Sequence, residues 1–185
     1  MNVDLSKYDK TRYKPGRGFV VRLLWYYVNL IFFQSRWFPF YGVKRFLLRL
    51  FGASVGRGVV IKPAVNIKYP WRLKIGDFSW IGEEVWIDNL ADVEIGNNVV
   101  LSQGAMLLTG NHDYTSPLFE IFVLPIVLED GVWIGAKSIV TPGVRCRSYS
   151  VLTVGSVATR DLEEFGIYQG NPAQKVKQRV IKAEV

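Results

Sequence analysis

Apolar residues recur at every sixth position through most of residues 55 to 163. Anchors at Val55, Ile61, Ile67, Ile75, Ile81, Ile87, Ile95, Leu101, Leu107, Leu128, Ile134, Val140, Cys146, Leu152 and Ala158 are Ile, Leu or Val in thirteen of fifteen cases; the overall share of those residues, 54 of 185, would place four or five there. Four residues past each anchor stands a small residue or Val: Val59, Val65, Ser79, Val85, Ala91, Val99, Ala105, Val132, Ser138, Val144, Ser150 and Ser156, broken only by Trp71, Asn111 and Leu162. Side chains alternate along a strand, so an anchor and the residue two before the next anchor share a face, and both are expected inward. The position after the anchor is Gly in five hexads (Gly56, Gly76, Gly82, Gly96, Gly135) and polar in most others, which reads as a sharp corner with unusual φ/ψ. Short strand, corner, short strand is the hexapeptide form of a parallel β-helix.

The interruptions are ordered as well. Steps between anchors are six residues except from Ile67 to Ile75 and Ile87 to Ile95, which take eight, and from Leu107 to Leu128, which takes twenty-one. Each exception follows a third hexad, so three hexads form one triangular coil and all the extra residues emerge at one corner. Fifteen hexads predict about five coils, and a stack buries its interior only against neighbouring coils, so its ends need caps. The chain divides into an N-terminal cap (1–52), a β-helix (53–163) with a long loop at 108–127, and a C-terminal cap with a basic tail (164–185).

The N-terminal segment changes pattern. Phe19 to Phe33 is rich in apolar and aromatic residues, and Val43 to Phe51 sets Lys44, Arg45 and Arg49 against Phe46, Leu47 and Leu50, predicting two helices broken near Pro39. The longest uncharged run there, Leu23 to Ser35, is about thirteen residues, short of the roughly twenty needed to cross hydrocarbon. An acidic start without a small-residue cleavage site argues against a signal peptide. The segment is expected to cap the β-helix, with docking on a membrane surface through its aromatic and basic residues as the alternative.

Residues just outside the anchors predict what covers the prism. Val60, Trp80, Val100, Trp133 and Val151 form one outward row, Asn66, Trp86, Met106, Ile139 and Val157 the next, and Arg72, Asp92, His112, Arg145 and Glu163 are read as the third. Two apolar rows this long are expected to be covered, in part by the N-terminal helices and otherwise by sister subunits. The net charge of +7 lies toward the two ends instead of forming a stripe with interleaved aromatics, which disfavours nucleic acid and favours anionic small molecules or lipid headgroups. The single cysteine, Cys146, excludes an internal disulfide framework, suggests a reducing compartment and sits at an inward position as core filler.

With these features the chain resembles the left-handed β-helix acyltransferases of the hexapeptide-repeat superfamily. IGEEVWIDNLADVEIGNNVVLSQGAMLLTGNHDYTSP (81–117), EDGVWIGAKSIVTPGV (129–144) and QGNPA (169–173) are similar to sugar O-acetyltransferases, most of all those of bacterial surface-polysaccharide clusters such as colanic acid biosynthesis. The resemblance implies an all-β, left-handed parallel β-helix, a cytoplasmic homotrimer, and acetyl-coenzyme A (acetyl-CoA) as acyl donor, bound in clefts between subunits with no metal. It places Gly135 and Ala136 against the thioester arm, Val154, Gly155, Thr159 and Arg160 along the pantetheine and phosphates, and Lys175 near the phosphate charge. Asp88 and Asn89 fall where the family has an acetyl-site asparagine, and Trp86 and Tyr114 join them as acceptor-binding candidates.

His112, the only histidine, lies in the long loop within the GNHD motif. Acetyl transfer from a thioester to a hydroxyl requires a proton to leave the attacking alcohol, and a neutral imidazole is suited to accept it, typically worth about 10² to 10⁴ in rate. Asp113, Glu120 or a backbone carbonyl could hold the other ring nitrogen, and Asp113 is carried as the second catalytic candidate. One histidine cannot supply the three that the zinc carbonic anhydrases of this fold use. The alternatives are a non-sugar acceptor such as an antibiotic or serine-like amino acid, and a non-enzymatic β-helix scaffold.

Overall fold

The computed structural model describes residues 3–9, 11 and 13–182. Two-to-three-residue strands stack in parallel into three faces. Face I holds Ser54–Val55, Leu73–Ile75, Val93–Ile95, Ile126–Leu128 and Arg145–Cys146. Face II holds Val60–Ile61, Trp80–Ile81, Val100–Leu101, Trp133–Ile134 and Val151–Leu152, and face III holds Asn66–Ile67, Trp86–Asp88, Met106–Leu108, Ile139–Val140 and Val157–Ala158. Anchors pair with anchors, as in Ile61 with Ile81 and Ile87 with Leu107. All fifteen anchors and all twelve small second-register residues are buried. Cys146 is fully buried among them, and burial pushes its thiol pKa up. All three insertions lie between faces III and I.

Three expectations are corrected. The stack runs to about six turns, because Leu162 bridges Cys146 in parallel and Gly166–Gly170 extends face II beyond the five expected coils. The third outward row is Ser54, Lys74, Glu94, Val127 and Arg145, not the series through Arg72 and His112; the latter residues sit in the insertions and leave the ladder. The glycines after the anchors, moreover, do not serve unusual dihedral angles. A Cβ on Gly76 would lie 2.6 Å from the Gly96 backbone, and one on Gly135 would lie 2.6 Å from Val154 N, so these positions exclude side chains because the next coil passes too close. Left-handed backbone occurs two residues later, at Gly58, Gly104 and Gly155 but also at Ala64, Phe78, Glu84, Asn98, Lys137 and Tyr149. Each non-glycine there costs about 1–2 kcal/mol of backbone strain, which the stacked coils offset.

The N-terminal segment forms α1 (Phe19–Val28), continuing as a π-helical turn (Asn29–Phe33), and α2 (Tyr41–Leu50). Trp25, Phe33 and Leu48 bury into the core at the open end of the stack. Between coils, N–H groups at the strands such as Val60 N and Lys62 N donate to Ser79 O and Ile81 O of the next coil, so carbonyls of the first coil face the helical cap, together with the Ile67 N–H, which Asn29 Oδ1 accepts. Arg49 donates to Val55 O and Gly56 O, Arg45 to Val59 O, Lys44 to Ile61 O and Lys62 O, and Trp25 Nε1 to Ile67 O. Unpaired backbone acceptors are costly when buried, and these donors satisfy them. Among the described residues no helix is long and apolar enough to cross a membrane.

Candidate functional site

The long loop leaves the stack after Met106–Leu108 as an antiparallel hairpin, Gly110–His112 against Ile121–Val123, and returns at Ile126–Leu128. Thr109 fixes its base: fully buried, its hydroxyl donates to Asp88 O at 2.8 Å and accepts from Ala91 N at 2.9 Å, while its carbonyl accepts from Leu124 N. The hairpin is thereby tied to the insertion one coil below.

His112 is half-buried and its ring is held from two sides. Nδ1 lies 2.8 Å from Phe119 O, and the Phe119 ring stacks on the imidazole at 4.4 Å between centroids and 8° between planes. A carbonyl only accepts, so Nδ1 carries a proton, and in the neutral imidazole Nε2 is the nitrogen with the free lone pair. Phe119 adopts φ +48°, a strained backbone for a bulky residue, at the point where its carbonyl meets the imidazole. Tyr8 from the N-terminal arm lies 5.9 Å from the imidazole on a tilted plane, and Asp4 N donates to Pro117 O, so the arm packs on the same loop.

Among the three acceptors left open for the ring, the structure uses a backbone carbonyl. Asp113 turns away: its carboxylate accepts from Thr115 N and Thr115 Oγ1, and these bonds hold its pKa below the usual aspartate value. Glu120 accepts from Ser116 Oγ. Tyr114 projects into solvent at the loop tip. Neither Thr109 nor Phe119 was singled out from the sequence, because a buried threonine and a backbone carbonyl carry no chemical signature there.

Asn89 is fully buried and both ends of its amide serve Tyr69, Oδ1 accepting from Tyr69 N and Nδ2 donating to Tyr69 O, so it staples two coils and faces no solvent-open site. Asp88 and Trp86, by contrast, line a cleft of about 350 Å³ between α1 and face III. At the corner between faces II and III the structure brings together Gly135, Ala136, Val154 and Gly155, with Gly155 N donating to Ala136 O. The Gly135 N–H is taken by Leu152 O, which removes it as a free donor. Thr159 and Arg160 line a separate small cavity with Tyr168, and Lys175 pairs with Glu163 at 2.6 Å. Within one chain the Gly135 corner and the His112 loop lie on opposite edges of face III, roughly 15–20 Å apart for a hexad at about 3.3 Å per residue. Among the described residues no three His, Cys, Asp or Glu side chains are grouped to hold a metal.

No protein-family model matches the chain. It is 37% identical over 180 residues, 96% of this chain and 97% of the relative, to "Putative colanic acid biosynthesis acetyltransferase WcaF" of Escherichia coli strain K12. Galactoside O-acetyltransferase of the same organism is 27% identical over 135 residues, covering 71% of this chain and 66% of that protein. A hexapeptide-repeat-containing acetyltransferase of Vibrio cholerae O1 biovar eltor, complexed with acetyl coenzyme A, shares the fold with a TM-score of 0.80 at 24% identity, covering 88% of each chain. A galactoside acetyltransferase in complex with coenzyme A matches with a TM-score of 0.77 at 25% identity, over 86% of this chain and 80% of that one. With the six-residue ladder, the His112 hairpin and full-length similarity, the chain belongs to the hexapeptide-repeat acetyltransferases.

Proposed function

We propose that the protein is an O-acetyltransferase that moves the acetyl group of acetyl-CoA directly onto a hydroxyl of a sugar or surface-polysaccharide precursor, with His112 as general base. The bond between His112 Nδ1 and Phe119 O carries the reading, because it leaves Nε2 as the acceptor in the loop. The names of the similar proteins favour a sugar as acceptor, and those solved with acetyl coenzyme A or coenzyme A favour that donor. In the transfer the hydroxyl proton passes to Nε2, the oxygen bonds the carbonyl carbon, the carbon–sulfur bond breaks, and the departing thiolate takes the proton back.

The coenzyme is assigned to the Gly135, Ala136, Val154 and Gly155 corner, with Thr159, Arg160 and Lys175 toward its phosphates. Of the backbone amides expected at the thioester, that of Ala136 is the candidate, since Gly135 already donates within the stack. The width of face III between this corner and His112 supports a homotrimer in which each site takes the coenzyme corner of one subunit and the histidine of another. Exposed Trp80 and Trp133 on face II support the same packing, as large apolar groups that a neighbour would cover.

The deciding experiment incubates the protein with acetyl-CoA and a panel of sugars, sugar phosphates, serine and chloramphenicol, following free thiol. Acceptor-dependent release with a sugar, falling by about 10² to 10⁴ in His112→Ala, is expected. Unchanged turnover in that variant would refute the mechanism, and preferred turnover of serine or chloramphenicol would refute the acceptor class. A monomer in sedimentation equilibrium would remove the shared site.

A further inference from the structure

We infer that the cleft between α1 and face III recognises an anionic group on the acceptor, and that Arg22 is the residue that reads it. This deepens the sugar O-acetyltransferase reading and rests on it. The cleft encloses about 350 Å³ and sets Arg22, Tyr26, Lys68, Tyr69, Trp86 and Asp88 around one space. Its walls are aromatic. Trp86 is 39% exposed although it belongs to the ladder of face III, and a flat ring of this kind suits the apolar face of a sugar.

Two polar atoms in this lining lack hydrogen bonds. Arg22 Nε is buried with no hydrogen-bond partner among the described residues, and so is Asp88 Oδ1. Asp88 Oδ1 lies 3.0 Å from Lys68 Nζ, an ion-pair distance without hydrogen-bond alignment. That contact sets the Lys68 and Asp88 charges against each other, leaving the guanidinium of Arg22 as the uncompensated charge of the cleft. A buried guanidinium N–H without an acceptor is costly, and the fork geometry of Arg matches a carboxylate or a phosphate.

The cleft is joined to the His112 loop. Asp88 pairs with Leu108 in register on face III, and Thr109, the next residue, bonds Asp88 O before the chain turns into the hairpin. A sugar lying on Trp86 with its anionic group at Arg22 therefore extends along the edge from which His112 projects. The N-terminal helix, which caps the stack, thus also supplies acceptor specificity in this chain.

Binding measured without acetyl-CoA separates this inference from the chemistry. Titration calorimetry on the full chain would use glucuronate, glucose 1-phosphate and methyl glucoside, the first two distinguishing a carboxylate from a phosphate. At least one anionic sugar is expected to bind about tenfold or more tighter than methyl glucoside, the scale of one charge-assisted bond. Arg22→Gln should abolish that preference and Arg22→Lys should restore part of it, with melting temperature and sedimentation coefficient unchanged. His112→Ala should keep the preference while losing turnover, so failure of the base and failure of the cleft read differently. Equal binding of all three sugars by the wild type would overturn the inference. So would an Arg22→Gln variant that changes assembly and leaves the preference intact, since Arg22 would then be a subunit contact.

Discussion

The two ends of the coil stack meet opposite demands and solve them with different parts of the chain. The first coil presents carbonyls, which only accept, and α2 covers them with side chains that only donate: Lys44, Arg45 and Arg49. At the last coil the backbone closes itself, Gly166–Gly170 joining face II in parallel and Ala173–Gln178 folding back on it antiparallel. The outer strand of that hairpin carries exposed Gln174, Lys175, Lys177 and Gln178, which blunt the remaining edge. Residues 1–52 hold ten Lys and Arg against two Asp, so the rest of the chain is close to neutral. Three of those ten cations, Lys44, Arg45 and Arg49, are therefore a structural requirement of a carbonyl edge, although the basic N-terminus reads from sequence as a sign of anionic partners. Buried donors at one end and surface pairs at the other differ in energy, and that difference can be tested.

The largest effect is expected at Lys44. Burial lowers its pKa to about 8 from the ordinary lysine value of 10.5. Between those values the unfolded chain binds a proton that the folded chain does not, so stability rises with pH through that window, by up to about 3 kcal/mol, and is flat below it. The difference in urea midpoint between wild type and Lys44→Met should shift toward the wild type by this amount from pH 8 to 10, since buried Cys146 acts in the opposite sense but equally in both; parallel curves for the two would break the comparison. Arg49→Ala comes next. It leaves Val55 O and Gly56 O without their donor and should cost about 1.5–3 kcal/mol in chemical denaturation, as for hydrogen bonds to a charged group. At the opposite end, Lys175→Ala removes only an exposed pair with Glu163 and should leave the urea midpoint within error of the wild type. A loss at Lys175 as large as at Arg49 would show that the two ends are closed by similar means.

Much of the fold was legible because a solenoid repeats its local environment. Every anchor met the same inward position, so the six-residue period named the buried residues, and its breaks named the corner that carries the insertions. The glycine positions were legible too, though for a different reason than expected: contact between coils, not dihedral freedom, excludes a Cβ at Gly76 and Gly135. His112 stood out as the sole histidine in the longest insertion. Its setting did not, since the acceptor that orients it is the carbonyl of Phe119 and the neighbouring Asp113 bonds Thr115 instead. Asn89 looked like a site residue and is a staple to Tyr69.

By itself the sequence determined what depends on side-chain type at fixed spacing: the inward faces, the three-sided coil, the insertion corner and the candidate base. Tertiary structure alone decided what depends on backbone groups meeting across coils. Peptide carbonyls and amides are the same in every residue, so no spacing announces which of them end unpaired. That is why the role of Lys44, Arg45 and Arg49, the partner of His112 and the cleft beside Arg22 emerged only when the chain was folded.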